Sequence, residues 1–218
     1  MDEITRSLKE YYTQTFETHG ATAKGVDWGD EHELLVRYDK MLGVLQKNFM
    51  PPVSDLSLLD VGCGWGGLLR RARQLKSPIV YSGIDVVESM ILHGREEFPD
   101  AEFIHGDVFE IEKDAAYDFV VCNAILTQKL SVSNIEMERF SRELIKKMFA
   151  LCRHGIAFNM MSTRVNYMVN NLYYQNPAEL LSWLLVDISP RVRLDHGYSS
   201  LASGQGKFYD FTVYVYKD

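Results

Sequence analysis

The sequence predicts an α/β fold: a seven-stranded, mostly parallel sheet with helices on both faces, an antiparallel last strand and an N-terminal helical cap. Three observations predict it. From Leu56 to Ile188, short apolar runs bounded by turn residues alternate with segments of helical periodicity, the pattern of a parallel sheet whose crossovers are helices. The first apolar run leads into a glycine-rich turn and then a helix. The last two apolar runs are joined by residues 197–207, rich in Gly and Ser and without helical pattern, and a link with no crossover helix favours antiparallel pairing.

Taken in order, residues 3–18 read as a helix, and His19–Gly29, punctuated by Gly20, Gly25 and Gly29, as a loop. Asp30 or Glu31 opens a second helix expected to run to about Lys47, with Leu34, Leu35, Tyr38, Leu42 and Leu45 near one face, and Pro51-Pro52 closes it. Residues 1–50 are thus expected to form the cap, and 51–218 the sheet domain. Strands follow over Leu56–Val61, Ile79–Ile84, Ala101–His105, Tyr117–Cys122, Ile156–Met161, Arg191–His196 and Phe208–Tyr216. The helices between them cover Gly67–Leu75, Glu88–Phe98, Asn134–Cys152 and Pro177–Ile188, the last with Pro at its first position. In the final strand Tyr209, Phe211, Val213 and Val215 share a face by the two-residue period.

The 218-residue length suits one such domain and a full core. Three scattered cysteines make no disulfide framework and lack metal-ligand spacing, which fits a reducing compartment and a cytoplasmic protein. The polar start MDEITRSLKEYY is no secretory signal, and no apolar run approaches the roughly 18 residues that span a bilayer. Net charge is −7, but residues 139–193 hold eight Lys/Arg against three Asp/Glu, a local +5. That excess is too modest for a nucleic-acid grip, which shows a broad basic face. A solvated helix face on Arg139, Arg142, Lys146 and Lys147 explains it, and a patch for an anionic substrate is the other reading.

A buried strand followed by Gly62-x-Gly64-x-Gly66-Gly67 and a helix is a nucleotide-binding turn, since glycines let a ligand approach the backbone. Its spacing fits two templates. Gly62, Gly64 and Gly67 match the dinucleotide pattern G-x-G-x-x-G; Gly62, Gly64 and Gly66 match G-x-G-x-G. The turn alone does not choose. Asp60, two residues before Gly62, would repel a pyrophosphate but can hold a cationic amine. Asp85, after the second strand, can accept from two ribose hydroxyls, and Asp107, after the third, from an adenine amine. Local turn capping is the competing role for Asp60 and Asp85.

Taken together, LLDVGCGWGG, GIDVVESM, HGDVF and YDFVVCNAIL resemble, in order and interval, motifs one to four of the class I methyltransferases that use S-adenosylmethionine (SAM). The resemblance covers residues 56–161 and, through the antiparallel last strand, reaches the C-terminus. It implies that residues 51–218 bind SAM: Gly62, Cys63 and Gly64 pass under its methionine portion, and Asp60 supports its amine. Asp85 would bind the ribose and Val86 lie against the adenine. Asp107 and the Val108 N–H would meet the adenine edge, and Asn123 would flank the methionine group. Many members close the site with an N-terminal helix, so Arg37 is a candidate partner for the SAM carboxylate, a planar fork suiting that group; an exposed helix charge is its alternative. Tyr11, Tyr12, Trp28 and Tyr38 read as core before lid.

In-line methyl transfer mainly needs positioning and exclusion of water, with a base only where the nucleophile starts protonated. His196 and Tyr167 are the candidate catalytic residues, with His154 and His19 further histidines of structural or solvated character. Residues 162–176, STRVNYMVNNLYYQN, are expected to select the acceptor, because they follow a strand's carboxyl end and offer Asn and Tyr hydrogen bonds without strong charge. The Asn/Asp-Pro-Pro-Tyr/Phe motif of many amino-nitrogen and base methylating members is absent, as Asn123-Ala124-Ile125-Leu126 stands there. The C-terminal half is similar in outline to small stand-alone methyltransferases of bacterial biosynthetic and glycan pathways. The expected activity is methyl transfer to O or N of a polar metabolite or sugar by a monomer or homodimer. An RNA or protein methyltransferase, an NAD-dependent oxidoreductase and a non-catalytic SAM-binding subunit stay as alternatives.

Overall fold

A computed structural model of the chain describes residues 3–45, 55–198 and 209–217. Two helices lead: α1 (Glu3–His19) and α2 (Glu31–Leu42). Then come β1 (Leu56–Val61), α3 (Gly67–Gln74), β2 (Ile79–Asp85), α4 (Glu88–Glu97), β3 (Glu102–His105) and β4 (Tyr117–Cys122). The second half holds α5 (Asn134–Leu151), β5 (Cys152–Ser162), β6 (Tyr174–Gln175), α6 (Pro177–Asp187), β7 (Val192–Asp195) and β8 (Asp210–Tyr216). Lys24–Val26 and Val108–Glu110 are single 3₁₀ turns.

The sheet order is β3-β2-β1-β4-β5-β8-β7, parallel except for β8, which lies antiparallel between β5 and β7. The seven expected strands are all present. An eighth corrects the count: β6 pairs Tyr174 and Gln175 with Met161 and Ser162 of β5, past the last β5 residue paired with β4. Two residues inside a polar stretch carry no alternation by which to read a strand. The fifth strand also starts earlier than expected, at Cys152, and α5 stops before it.

The second helix ends at Leu42, short of Lys47, where Gly43 caps it through its N–H to Asp39, Lys40 and Met41 carbonyls. Pro51-Pro52 lies outside the described residues, as does most of the Gly- and Ser-rich link. Helix starts obey local chemistry. The Asp30 side chain accepts from Glu33 N, Ser133 and Glu136 form a reciprocal capping box, and Asn176 caps α6 ahead of Pro177.

Helices cover both faces. On one, Leu59, Val61, Val120, Ile156, Phe211 and Val213 pack against α5 and α6, with Ile4 and Leu8 of α1. On the other, Leu56, Leu58, Phe119, Val121 and Tyr214 pack against Leu34, Tyr38 and Met41 of α2 and Leu68 and Ala72 of α3. The two-residue period divides each strand between the two layers. Every residue of β8 is buried, because a strand between two others with helices on both faces has no solvent side. Its Tyr214 and Tyr216 hydroxyls donate to the carbonyls of Lys40 (2.8 Å) and Val44 (3.3 Å), fastening the end of α2 to the sheet.

Candidate cofactor cleft

Parallel strands end together, so the turns after β1 to β4 share the carboxyl edge of the sheet, where open α/β folds bind ligands. A cleft there holds about 950 Å³ of space, counting its open mouth. The chain leaves β1 through Gly62 at φ +70°, a left-handed conformation; a Cβ there would lie 2.4 Å from Ile125 Cδ1. Gly66, at φ +91°, starts α3 where a Cβ would come within 2.8 Å of the Phe103 ring. Side chains at these two positions would close the turn and crowd the layer beneath it.

Nine of the ten residues expected to hold the cofactor line this cleft: Asp60, Gly62, Cys63, Gly64, Asp85, Val86, Asp107, Val108 and Asn123. Asp85, the last residue of β2, orders the turns on both sides of itself, accepting from Gly64 N with one carboxylate oxygen and from Val87 N with the other, both at 2.8 Å. Burial pushes its carboxyl above the usual range, while those N–H groups pull it back. Asp60 is 3% exposed. Burial lifts its carboxyl to about 7, against the Tyr81 hydroxyl that donates to it at 2.8 Å and with the help of neighbouring Asp85. Asp107 caps the turn after β3, accepting from Phe109 N at 3.1 Å. The Cys63 thiol is pushed far up by burial, so it packs as an apolar group and is no nucleophile.

The other wall comes from the N-terminal segment: Thr5, Leu8 and Tyr12 of α1, Val26 and Trp28 of the following loop, and Tyr38 of α2. Of the four aromatics read as core, Tyr12, Trp28 and Tyr38 therefore do both jobs, since one side of such a ring packs on the protein while the other faces the ligand space, and Tyr11 is not among the lining residues. Arg37, the tenth expected residue, does not line the cleft. Its guanidinium donates to Asp210 at 2.8 Å and stacks 3.7 Å from the centre of the Trp28 ring, so it stands one layer behind the wall. His196 and Tyr167 do not line it either. His196 follows β7, the outermost strand, with its ring 5.7 Å from that of Phe211; Tyr167 is 64% exposed and lies 6.3 Å from the Tyr209 ring.

Sequence reading missed three polar residues beside the cleft. Asn159, within the apolar run IAFNMM of β5, accepts from Ala124 N at 2.8 Å and holds the turn after β4, where Ala124 takes φ +77°. A polar residue inside a buried strand was the available signal. Asp27 and Gln128 meet at 2.6 Å across 101 residues of chain, and no local pattern announces such a pair.

These residues suit SAM. Three carboxylates line the cleft, and among its described lining residues there is no Lys or Arg. Such a wall repels a dinucleotide pyrophosphate and attracts the amine and sulfonium cations. The Asn123 Oδ1 atom, buried and without a partner among the described residues, offers a further acceptor. Asp60 and Asn123 would hold the methionine portion, Asp85 the ribose and Asp107 the adenine. SAM would supply there a methyl group activated by its sulfonium.

Residues 58–155 match a family model described as a methyltransferase domain. A relative from Mycobacterium tuberculosis, provisionally described as a methyltransferase, is 29% identical over 168 residues, spanning 74% of this chain and 93% of its own. Among solved structures, magnesium protoporphyrin IX methyltransferase from Synechocystis PCC 6803 with bound SAM superposes with a TM-score of 0.69 at 14% identity, covering 100% of this chain and 99% of its own. A Burkholderia thailandensis 1,6-didemethyltoxoflavin-N1-methyltransferase with bound S-adenosylhomocysteine gives 0.62 at 16% identity, covering 96% and 89%. At such identities the superpositions carry the fold alone.

Fold, carboxylate-lined cleft and sequence matches agree: residues 58–155 match a methyltransferase domain, the sheet has the class I methyltransferase fold, and the cofactor is SAM.

Proposed function

We propose that this enzyme transfers the methyl group of SAM to an oxygen or nitrogen of a polar small molecule by in-line displacement. The observation that carries the reading is the shape and charge of the cleft. It is a partly open cleft whose described lining holds three carboxylates and no Lys or Arg. A polyanionic RNA backbone is repelled by such a rim unless Lys or Arg surrounds it. Residues 162–176, rich in Asn and Tyr, are the segment we assign to acceptor selection, and β6 within them pairs with the end of β5.

Among the described residues, no helix is long and apolar enough to cross a membrane. The three cysteines are buried free thiols, which suits a cytoplasmic enzyme acting as monomer or homodimer. The deciding experiment incubates the protein with methyl-labelled SAM and, separately, the small-molecule, RNA and protein fractions of a cell extract. Label is expected in the small-molecule fraction. Label confined to RNA or protein would overturn the acceptor class, and label in none would leave a SAM-binding subunit without transfer activity.

A further inference from the structure

The chain leaves β4 at a defined point. The last residue of β4 paired with β5 is Cys122, opposite Phe158. The next two residues, Asn123 and Ala124, turn away into the wall of the cleft. Asn159 is the β5 residue that the ladder would reach next. Its side chain supplies the acceptor instead, the carboxamide oxygen accepting from Ala124 N at 2.8 Å. Asparagine side chains can stand in for a backbone carbonyl in this way. Ala124 is held there at φ +77°, a left-handed backbone that is costly for a residue with a Cβ.

For stability alone, Asn159 is a poor choice. It is 1% exposed, and its Nδ2 donor is buried without a partner among the described residues. A leucine of nearly the same shape would leave no such donor in the core. A half-satisfied polar group deep in a sheet calls for a reason beyond packing. What its hydrogen bond holds supplies that reason. The residues on both sides of Ala124 line the cleft. Asn123 carries there an Oδ1 atom without a partner among the described residues. Ile125 fills with its Cδ1 the space that a Cβ on Gly62 would need, so it packs on the first glycine of the cofactor turn. Thr127 fixes the far side of the same turn, its Oγ1 donating to the Ala124 carbonyl at 2.7 Å. The peptide groups before and after Ala124 are thus each held by a buried side chain.

We propose that Asn159 is a positioning residue of the transfer reaction. Through Ala124 it sets Asn123 and Ile125 against the glycine-rich turn, so that the methionine portion of SAM meets a wall already in place. Asn159 itself does not line the cleft and acts only through that turn. A wall formed in advance spares the ordering of its residues on binding, which raises affinity without any new contact. Displacement of such a wall by about 1 Å is enough to weaken a reaction that depends on alignment. Asn159 thus accepts an unpaired donor in the core in return for a fixed cofactor wall.

This inference rests on the assignment of Asn123 to the methionine portion, and its test keeps the two apart. SAM affinity is measured by calorimetry without any acceptor, so the result is independent of the acceptor class proposed above. The proteins compared are wild type, Asn123→Ala, Asn159→Leu and the double variant, each checked for folding by circular dichroism. Each single change is expected to lower SAM affinity about tenfold, and the double variant also about tenfold instead of about 100-fold, because residues that act through one another are not additive. Ala124→Gly takes the left-handed backbone without strain, and added to Asn159→Leu it is expected to restore affinity to within about threefold of wild type. A bond that served stability alone would give neither the coupling nor the rescue. If Asn159→Leu does not fold, Asn159→Ser, too short to reach Ala124 N, takes its place in the same cycle. Losses that multiply in the double variant, or wild-type affinity in the folded Asn159 variant, would overturn the role of Asn159 alone. Wild-type affinity in Asn123→Ala would overturn the assignment of Asn123, and this inference with it.

Discussion

The two halves of the sheet are built on different principles. In β1 to β4, ligand-facing groups are held by backbone: Asp85 by the N–H groups of Gly64 and Val87, Asp107 by that of Phe109. In β5 to β8, long-range side-chain pairs tie the strands to the N-terminal helices: Arg37 with Asp210, Lys40 with Asp195, and Tyr214 with the Lys40 carbonyl. The first half is a set of turns that shape a cleft. The second is a brace that holds α2, and through Arg37 the Trp28 wall, against the sheet. Ligand binding and stability should therefore separate along the chain.

The largest test of that separation is Asp210→Ala. It leaves Arg37, whose side chain is 6% exposed, without its main counter-charge. Removing one partner of a buried pair costs about 3–5 kcal/mol. Chemical denaturation should show that loss, with SAM affinity little changed in the protein that remains folded. A stability loss below about 1 kcal/mol would say the brace is not needed.

Next comes Asp60, which belongs to the cleft yet acts on stability with the opposite sign. Its folded carboxyl lies at about 7, above the ordinary 3.8. A raised carboxyl stabilises the fold while protonated, and that contribution disappears as pH rises from about 4 through 7. In Asp60→Asn the penalty is absent. The stability of the variant relative to wild type should climb by on the order of 4 kcal/mol between pH 4 and pH 8, measured without SAM. With Asp60 as the proposed partner of the SAM amine, wild-type affinity should weaken as pH drops below 7 and the variant should bind poorly throughout. A difference in stability flat with pH would remove Asp60 from this role.

Asp85→Ala should cost at least about 100-fold in SAM affinity, roughly 3 kcal/mol, read by calorimetry, while global stability changes less. Equal affinity in this variant would break the assignment of the cleft. The smallest effects are expected at His196→Gln and Tyr167→Phe. Both residues stand away from the cleft, and each change should shift stability by no more than about 0.5 kcal/mol and leave SAM affinity alone. A tenfold fall in affinity for either would extend the cofactor site to the far edge of the sheet.

Much of the first half was legible because its information is local. Asp60, the three glycines, Asp85 and Asp107 lie within a few residues of strand ends, and each strand end is marked by the apolar run before it. Parallel strands then bring those ends together without any further specification. The brace was not legible. Arg37 resembles a cofactor ligand in the sequence, since an Arg in a helix near the site is one chemical possibility among several. Its engagement by Asp210, 173 residues away, depends on β8 being inserted between β5 and β7. The Asp27–Gln128 contact, 101 residues apart in sequence, likewise has no local signal. Tyr167 and His196 offered suitable chemistry at strand ends, yet β7 lies two strands out from β5, and the segment carrying Tyr167 turns its ring to solvent.

By itself the sequence determined the α/β class, the antiparallel last strand and a nucleotide-binding turn, because periodicity and glycine conformation act over a few residues and need no distant partner; the resemblance of four motifs in order is what pointed that turn to SAM. Only the tertiary structure decided which charges meet, that Arg37 serves a buried pair with Asp210, and that Asp27 meets Gln128. Contacts between residues more than a hundred positions apart are set by how the layers pack, and packing is a property of the whole chain.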